Sequence, residues 1–200
     1  GSMNVRETRV LDFSGDFSRY RRQIPHYGFG NLTDVKVSEP NTPYTLIQNP
    51  TGRPENRFTF SKDKTSGNGQ FIIELFFHAK DQQKTFIIEY HVTDVVQLHN
   101  DVAEFYWKFI GAPRSVDIDK MSVALLLPVG AQSDEIKVWG HGPLKGDVKK
   151  INGSELSWHT TDLPKNRFLE GRVVFPLRLV PQGRNLTHKD ALASILAQEQ

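Results

Sequence analysis

The chain has 200 residues, which fits one domain, and its 25 basic residues nearly balance its 23 acidic ones, giving a net charge of +2. It contains no cysteine, so a disulfide framework, a zinc–thiolate site and a cysteine nucleophile are excluded. No stretch reaches the roughly 18 apolar residues of a membrane-spanning helix, and the one tight basic cluster, Arg19–Arg22, fits a solvated or ion-paired edge better than a nucleic-acid-binding face.

Short β-type runs dominate the sequence, and turn residues separate them, for instance at 66–69. In chain order, the runs are Thr8–Phe13, Leu32–Val37, Tyr44–Gln48, Arg57–Ser61, Phe71–Phe77, Phe86–Val92, Val116–Leu127, Ile136–Trp139, Val148–Ile151, Leu156–His159 and Phe168–Leu179. This pattern predicts an all-β fold, a two-layer antiparallel β-sandwich of the immunoglobulin-like or jelly-roll-like kind, because two layers bury sheets that have one apolar face.

The runs Phe71–Phe77 and Phe86–Val92 predict a hairpin. Apolar residues occupy the odd positions of the first run and the even positions of the second. A turn centred on residues 81 and 82 therefore brings both apolar sets to one face. The same register places Glu74 directly opposite Glu89 on the other face, which is less apolar.

The segment Asp101–Gly111 fits two patterns. As a helix, it has Asp101 and Glu104 in the positions of a capping box, with Gly111 as the C-cap. As a strand, it places four residues on one face: Ala103, Phe105, Trp107 and Phe109. Four aromatic residues in five positions favour the strand.

The C-terminal residues predict a helix. Thr187 is the predicted N-cap, and Leu192, Ile195 and Leu196 follow at helical spacing within His188–Gln198. The expected organisation is a cloning remnant at 1–3, a β-sandwich domain over 4–183, and a C-terminal helix or connection over 184–200.

A series of short motifs occurs in order along most of residues 5–180. The motifs are Asp12-Phe13-Ser14-Gly15-Asp16-Phe17, Tyr20-Arg21-Arg22-Gln23-Ile24-Pro25, Leu32-Thr33-Asp34-Val35-Lys36-Val37, Ile88-Glu89-Tyr90-His91-Val92, Glu104-Phe105-Tyr106-Trp107-Lys108-Phe109-Ile110-Gly111, Leu127-Pro128 and Gly140-His141-Gly142-Pro143. This set resembles the YciQ-like family of predicted membrane proteins, whose N-terminal region is domain of unknown function 2207. The chain has Lys108 where the family usually has Asn, and 112–115 lacks the second Trp that is common there.

The resemblance implies an all-β domain on the extracytoplasmic face of the cell membrane. It also implies an export signal before this segment and membrane helices after it, so that 184–200 leads toward a membrane segment. It assigns no catalytic residue, and contact with the membrane is expected only through those other segments.

Two glutamates give the sharpest enzyme hypothesis. Opposed Cβ atoms in a hairpin lie about 5 Å apart, and two carboxylates at such a separation suit a retaining glycosidase. Glu74 and Glu89 are thus candidate catalytic residues for a cell-envelope glycan hydrolase. The alternative is that Lys80, Lys84 or a cation from another strand neutralises them.

Aromatic residues give a second hypothesis. Tyr106, Trp107 and Trp139 are candidates for a platform that stacks on sugars or peptides, although aromatic residues in strands more often lie in the core. His141, between two glycines in a turn, is a further ligand-binding candidate, whose alternative role is a hydrogen bond to loop backbone. The histidines form no His-Glu-x-x-His pattern, and we expect neither a metal site nor a cofactor.

We therefore expect a non-catalytic interaction or sensing module of a membrane-anchored protein, with an envelope protein or a glycan as its partner and no nucleic acid. The alternatives are the glycan hydrolase and a carbohydrate-binding module. The hydrolase requires one cleft that holds both carboxylates without a neutralising cation. The binding module requires at least two coplanar exposed rings.

Overall fold

The chain forms two compact units in a computed structural model that describes residues 1–64, 69–112, 114–143 and 145–200. The N-terminal unit is Ser2–Thr93, and the C-terminal unit is Asp94–Gln200 together with Gly1. The one β-sandwich domain expected over 4–183 stays a prediction. The predicted turn at 66–69 lies mostly outside the described residues. Among those that are described, no helix combines the length and apolar character needed to cross a membrane.

The N-terminal unit is built around two strands of 23 residues each. Its strands are β1 (Met3–Pro25), β2 (Leu32–Glu39), β3 (Thr42–Pro43), β4 (Thr45–Leu46), β5 (Arg57–Asp63) and β6 (Gln70–Val92). β1 pairs antiparallel with β6 along almost its whole length. On the other edge of β6, β5 pairs with the first half and β2 with the second, so β6 is the centre of the sheet.

β1 and β6 both bend near their midpoints, where Gly15 faces Asp81. Their φ angles are 101° and 47°, in the left-handed region that favours glycine and tolerates aspartate. The N–H of Gly15 donates to Oδ1 of Asp81 at 2.6 Å, and the pairing shifts register beside it. The positions that face the core change from odd to even along both strands at this bend.

The bend corrects the predicted hairpin. Phe71–Phe77 and Phe86–Val92 belong to the single strand β6, and each run pairs with β1 and not with the other run. The apolar positions of both runs are buried, so the prediction of the two faces was right and the prediction of the connection was wrong. A residue with left-handed backbone angles inside a continuous strand can switch the core-facing positions from odd to even numbers. A turn between two strands can produce the same switch, so the sequence pattern alone does not separate the two cases.

The inward faces of the two halves of the bent strands contact each other. The ring centroids of Phe77 and Phe86 lie 4.9 Å apart, and Tyr20 stacks on Phe86 at 6.2 Å. Glu7 and Arg22, which belong to different halves of β1, form an ion pair at 2.9 Å. These contacts close the core of the N-terminal unit.

The C-terminal unit contains a five-stranded sheet, in the order β10-β13-β8-β7-β14, and a three-stranded sheet, in the order β11-β12-β9. The strands are β7 (Val96–Leu98), β8 (Ala103–Ile110), β9 (Ile118–Leu126), β10 (Lys137–His141), β11 (Asp147–Lys150), β12 (Glu155–Leu163), β13 (Leu169–Phe175) and β14 (Asn185–Leu186). A 3-10 helix spans Leu177–Leu179, and the α-helix α1 spans Leu192–Gln198.

Trp158 of β12 joins the two sheets of this unit. It is 1% exposed, it packs on Phe109 with 5.1 Å between ring centroids, and its Nε1 donates to the carbonyl oxygen of Trp139 at 2.9 Å. Gly171 of β13 makes room for it, since a Cβ atom there would lie 2.8 Å from the Trp158 ring. The lack of a side chain at this position allows the indole to fill the space between the sheets.

The predicted all-β fold with a short C-terminal helix is confirmed. The preference for a strand over Asp101–Gly111 is also confirmed, because β8 covers Ala103–Ile110. The immunoglobulin-like or jelly-roll-like sandwich stays a prediction. The predicted cap of the helix is wrong: α1 begins at Leu192, and the Thr187 hydroxyl contacts the ring of His99 at 2.7 Å.

Candidate functional site on one face of the five-stranded sheet

Three neighbouring strands place six polar and aromatic side chains on one face of the five-stranded sheet. The six are Tyr106, Lys108, Trp139, His141, Glu170 and Arg172. In the strand register, Tyr106 lies beside Arg172 and Arg172 beside Trp139, and the other three form the next row. Side chains two residues apart along a strand point the same way, so both rows share one face, which we call the Tyr106 face.

Trp107 lies on the opposite face. It is 8% exposed, and its ring stacks on Phe105 at 6.4 Å. Neighbouring residues of a strand point to opposite sides of the sheet, so Tyr106 and Trp107 cannot form one platform. Trp139 does share the face of Tyr106, but it packs against the buried residues Val102, Val174 and Ile195. The predicted platform of three rings is therefore not formed, and Tyr106 is its exposed member.

Tyr106 is 49% exposed and has ordered polar neighbours. Its hydroxyl donates to Oε2 of Glu170 at 2.8 Å, and the guanidinium carbon of Arg172 lies 5.4 Å from its ring centroid. The ring of His141 packs edge-on at 5.7 Å. Partial burial and the bond to Glu170 raise the pKa of Tyr106 to about 12, so the hydroxyl remains a donor at neutral pH.

A positively charged side chain flanks this ring on the next row. Nζ of Lys108 lies 2.7 Å from Oε1 of Glu170 and 5.4 Å from the centroid of Phe168, which is 38% exposed. The open part of the Tyr106 face thus offers an aromatic surface bordered by an ammonium group and a carboxylate. Such a combination suits a ligand with both hydroxyl or amide groups and an apolar side.

Arg172 is the buried centre of the face, with a residue exposure of 9%. Its Nε donates to Oε1 of Glu104 at 2.6 Å, and its Nη1 donates to Oε1 of Glu199 and to Oε1 of Gln198, both at 2.9 Å. Burial lowers the pKa of Arg172, but the hydrogen bonds to the two carboxylates more than offset this and the net shift is upward. Arg172 is therefore a permanent cation that holds residues at the end of α1 on the sheet.

His141 contacts the same end of the helix. Its Nε2 lies 2.9 Å from Oε2 of Glu199, so the tautomer that fits this contact donates from Nε2 to the carboxylate. Its Nδ1 is buried and has no hydrogen-bond partner among the residues that the structure describes. The expected alternative, a hydrogen bond from His141 to loop backbone, is thus replaced by a contact with a charged side chain of the C-terminal segment.

Contacts at both ends fasten α1 to the sheet. At its start, Asp101 accepts the N–H groups of Ala191 and Leu192, each at 2.9 Å. In its middle, Ile195 is 2% exposed and packs with Val102 and Trp139. Together with the contacts to Gln198 and Glu199, these interactions make the helix part of the Tyr106 face.

The two glutamates proposed for catalysis are not brought together as a hairpin pair. Both lie on β6, on positions that alternate with the buried ones, and each is paired with arginine from β1. Glu74 accepts from Arg21 at 3.0 Å and lies 3.4 Å from Arg19, while Glu89 accepts from Arg6 at 2.6 Å. A neutralising cation from another strand is the alternative that the structure bears out, so the geometry of a retaining glycosidase is absent here.

A serine and a histidine meet on the outer face of the three-stranded sheet. Oγ of Ser122 lies 3.0 Å from Nδ1 of His159, and Asp147 is the strand neighbour of His159. Asp147 is bonded to Lys149 at 2.7 Å, and acyl transfer needs oxyanion donors in addition to these three residue types. We interpret the contact between Ser122 and His159 as a hydrogen bond on the surface. Within the described residues, no group of His, Cys, Asp and Glu could hold a metal ion.

Tyr106 and His141 were predicted from the sequence, whereas Arg172 and the carboxylates around it were not. One signal was available, since Leu169-Glu170-Gly171-Arg172 alternates charged residues with apolar or small ones in a strand. Charges at alternate positions of a strand whose other side is buried mark a functional or covered face. No comparable sequence pattern pointed to Glu199, the partner of Arg172 at the end of α1.

No curated protein and no solved structure matches the chain. A protein family does match residues 1–175, and it is described as the N-terminal domain of a predicted membrane protein, DUF2207. The match covers more than four-fifths of the 200 residues and includes β1 to β13. The chain therefore belongs to this family of predicted membrane protein N-terminal domains, as the ordered motifs suggested.

Proposed function

We propose that the chain is a non-catalytic interaction or sensing domain of a membrane-anchored protein, that it lies on the extracytoplasmic side, and that it acts through the Tyr106 face. One observation carries the proposal. Buried Arg172 contacts the ring of Tyr106 on one side and the C-terminal residues Gln198 and Glu199 on the other. Contact at the exposed ring and the position of α1 therefore depend on the same side chain.

The contact of Arg172 with both Tyr106 and the end of α1 supports sensing in addition to simple binding. A ligand that binds the open side of Tyr106 or bonds Glu170 changes the surroundings of Arg172 and His141, and both hold Glu199. A ligand shifts an equilibrium by its difference in affinity for the two states, here the docked and released states of α1. The position of the helix is then the output, because Arg172 and His141 both contact residues at its end.

A carbohydrate is the ligand that the residue types favour. Sugar rings stack their apolar face on aromatic side chains, while Glu170 and Lys108 offer an acceptor and donors for hydroxyl groups. The exposure of Tyr106 and Phe168 supports this second candidate, a carbohydrate-binding module, which in addition requires that the two rings be coplanar. An extended peptide of an envelope protein is the competing partner, and it would use the same residues.

Binding of soluble cell-envelope glycan fragments, measured by calorimetry, tests the proposal. We expect the wild-type chain to bind, Y106A to lose at least about tenfold in affinity, and Y106F to retain most of it, because stacking needs the ring and not the hydroxyl. Hydrogen exchange of Leu192–Gln198 in the presence of the fragments reports on sensing. Equal binding by wild type and Y106A would exclude the Tyr106 face as the binding surface.

A further inference from the structure

We propose that the free edge of β9 binds a second copy of this chain, as an antiparallel strand pair related by a twofold axis at Ala124. β9 is the outermost strand of the three-stranded sheet, and within the described part of the chain it pairs only with β12. A free strand edge presents a row of N–H and C=O groups on which another strand can pair.

The hydrogen bonding of β9 shows which groups face outward. The N–H of Leu127, directly after β9, donates to the carbonyl oxygen of Ser154 at 2.8 Å, on the β12 side. Successive residues of an antiparallel pair alternate between bonding the partner strand and facing away from it. Ser122, Ala124 and Leu126 therefore direct their N–H and C=O groups to the free edge, and their side chains are exposed as well.

The central part of this edge lacks the features that usually prevent pairing. Met121–Leu127 contains no charged residue, no glycine and no proline. Natural edge strands are protected by charged side chains, prolines or bulges, and the pairing of β9 with β12 shows no register shift. Leu126 is 73% exposed, which leaves a large apolar side chain in water beside unpaired backbone groups. These properties together mark the run as a site for strand addition.

A second copy of the same edge fits this one. With the axis at Ala124, that residue faces its own copy, Ser122 faces Leu126, and Lys120 faces Pro128. No like charges oppose each other, and the small side chain of Ala124 leaves room at the axis. The three outward-facing residues of each copy form about six hydrogen bonds across the interface. The contact is the same for both copies, as a closed twofold dimer requires.

Cysteine cross-linking tests the register, because the chain has no cysteine of its own. Opposed Cα atoms of a hydrogen-bonded antiparallel pair lie about 5.5 Å apart, within the range that a disulfide spans. We expect A124C to form a covalent dimer under mild oxidation. L126C, exposed on the same edge but away from the axis, should form about tenfold less. Equal cross-linking of both variants, or none of A124C, would overturn the proposal.

Sedimentation of the full chain at concentrations up to about 0.5 mM tests the association itself. We expect a wild-type dimer and a monomeric A124K, in which lysines oppose each other at the axis. S157K is the matched control: Ser157 is the neighbour of Ala124 on β12, and both edges of β12 are already paired, so the dimer should persist. Circular dichroism shows that each variant is folded. A monomeric wild-type chain, or a dimeric folded A124K, contradicts the proposal.

Discussion

Glu7 and Arg22 form a buried ion pair across the bend of β1, with 2.9 Å between Oε1 and Nη2 although they are 15 residues apart on one strand. Nε of Arg22 donates to both carboxylate oxygens, and the hydroxyl of Tyr90 donates to Oε1 at 2.7 Å. Burial alone raises the pKa of Glu7, but Arg22 and Arg9 hold it far below its usual range. The pair connects the two halves of the N-terminal unit.

Replacing Glu7 with glutamine should lower the free energy of unfolding by about 3 kcal/mol, because Arg22 then remains buried without a carboxylate. Urea denaturation followed by circular dichroism measures the change. E89Q is the matched control, since Glu89 of β6 pairs with Arg6 of β1 in the same unit but in an exposed position. That change should cost less than about 1 kcal/mol. Equal losses in the two variants would show that burial of the Glu7 pair has no special effect.

The same carboxylate predicts a pH dependence. A group whose pKa is lower in the folded state stabilises the fold above its unfolded pKa and loses this contribution as the pH falls through the folded pKa. The ordinary pKa of Glu7 is 4.5, so wild-type stability should decline as the pH falls below that value. E7Q should show a flatter decline in thermal unfolding between about pH 6 and about pH 2. Identical slopes would contradict the low pKa.

The alternation of apolar residues was sufficient to predict the faces of β6 but not its course. The core-facing residues of both halves follow from a period of two, and all of them are buried. Whether the chain turns or bends at Asp81 depends on the backbone angles of a few residues there. Those angles are stabilised by Gly15, which lies 66 positions away in the sequence. Sequence patterns within a run carry no information on that contact.

The candidate site, too, could be predicted from the sequence only in part. Residue type alone pointed to Tyr106 and His141, since exposed aromatic and histidine side chains are common in binding surfaces. Arg172 and Glu104 are 68 positions apart and become neighbours only through the pairing of β13 with β8. Strand alternation, applied to the predicted strand, already places Trp107 and Tyr106 on opposite faces. The order of the strands was therefore the missing information.

Asp101 caps α1 from outside the helix, so D101A should release the first turn. Loss of a capping carboxylate costs about 1 kcal/mol, which corresponds to about fivefold faster amide exchange in Leu192–Gln198. Burial raises the pKa of Asp101, but the hydrogen bonds from the two backbone N–H groups more than offset this and the net shift is downward. The cap is thus present at neutral pH and lost in stronger acid. D147A, at another exposed aspartate, should leave the exchange of α1 unchanged; an effect of equal size would contradict the prediction.

R172A should release the other end of α1, because Glu199 loses its bond to the guanidinium, and should destabilise the C-terminal unit by about 3 kcal/mol, because Glu104 stays buried without Arg172. Fluorescence of the three tryptophans reports on this unit, since all of them lie within it. R178A is the control: Arg178 pairs with Glu135 at 2.6 Å in an exposed position, and its loss should cost less than about 1 kcal/mol. Equal effects would show that the buried network does not hold the helix.

Two glycines of the C-terminal unit should respond to alanine in opposite directions. At Gly171, a Cβ atom would lie 2.6 Å from Phe109 and 2.8 Å from Trp158, so G171A should destabilise by about 1–3 kcal/mol through overpacking between the sheets. At Gly111, the nearest atom is Cδ of Lys108 at 3.8 Å, which is an ordinary contact. G111A should therefore be neutral or stabilise by up to about 1 kcal/mol, by reducing the freedom of the unfolded chain. Chemical denaturation measures the free energy of unfolding of both variants. Equal values for G171A and G111A would contradict the close packing of the two sheets around Trp158.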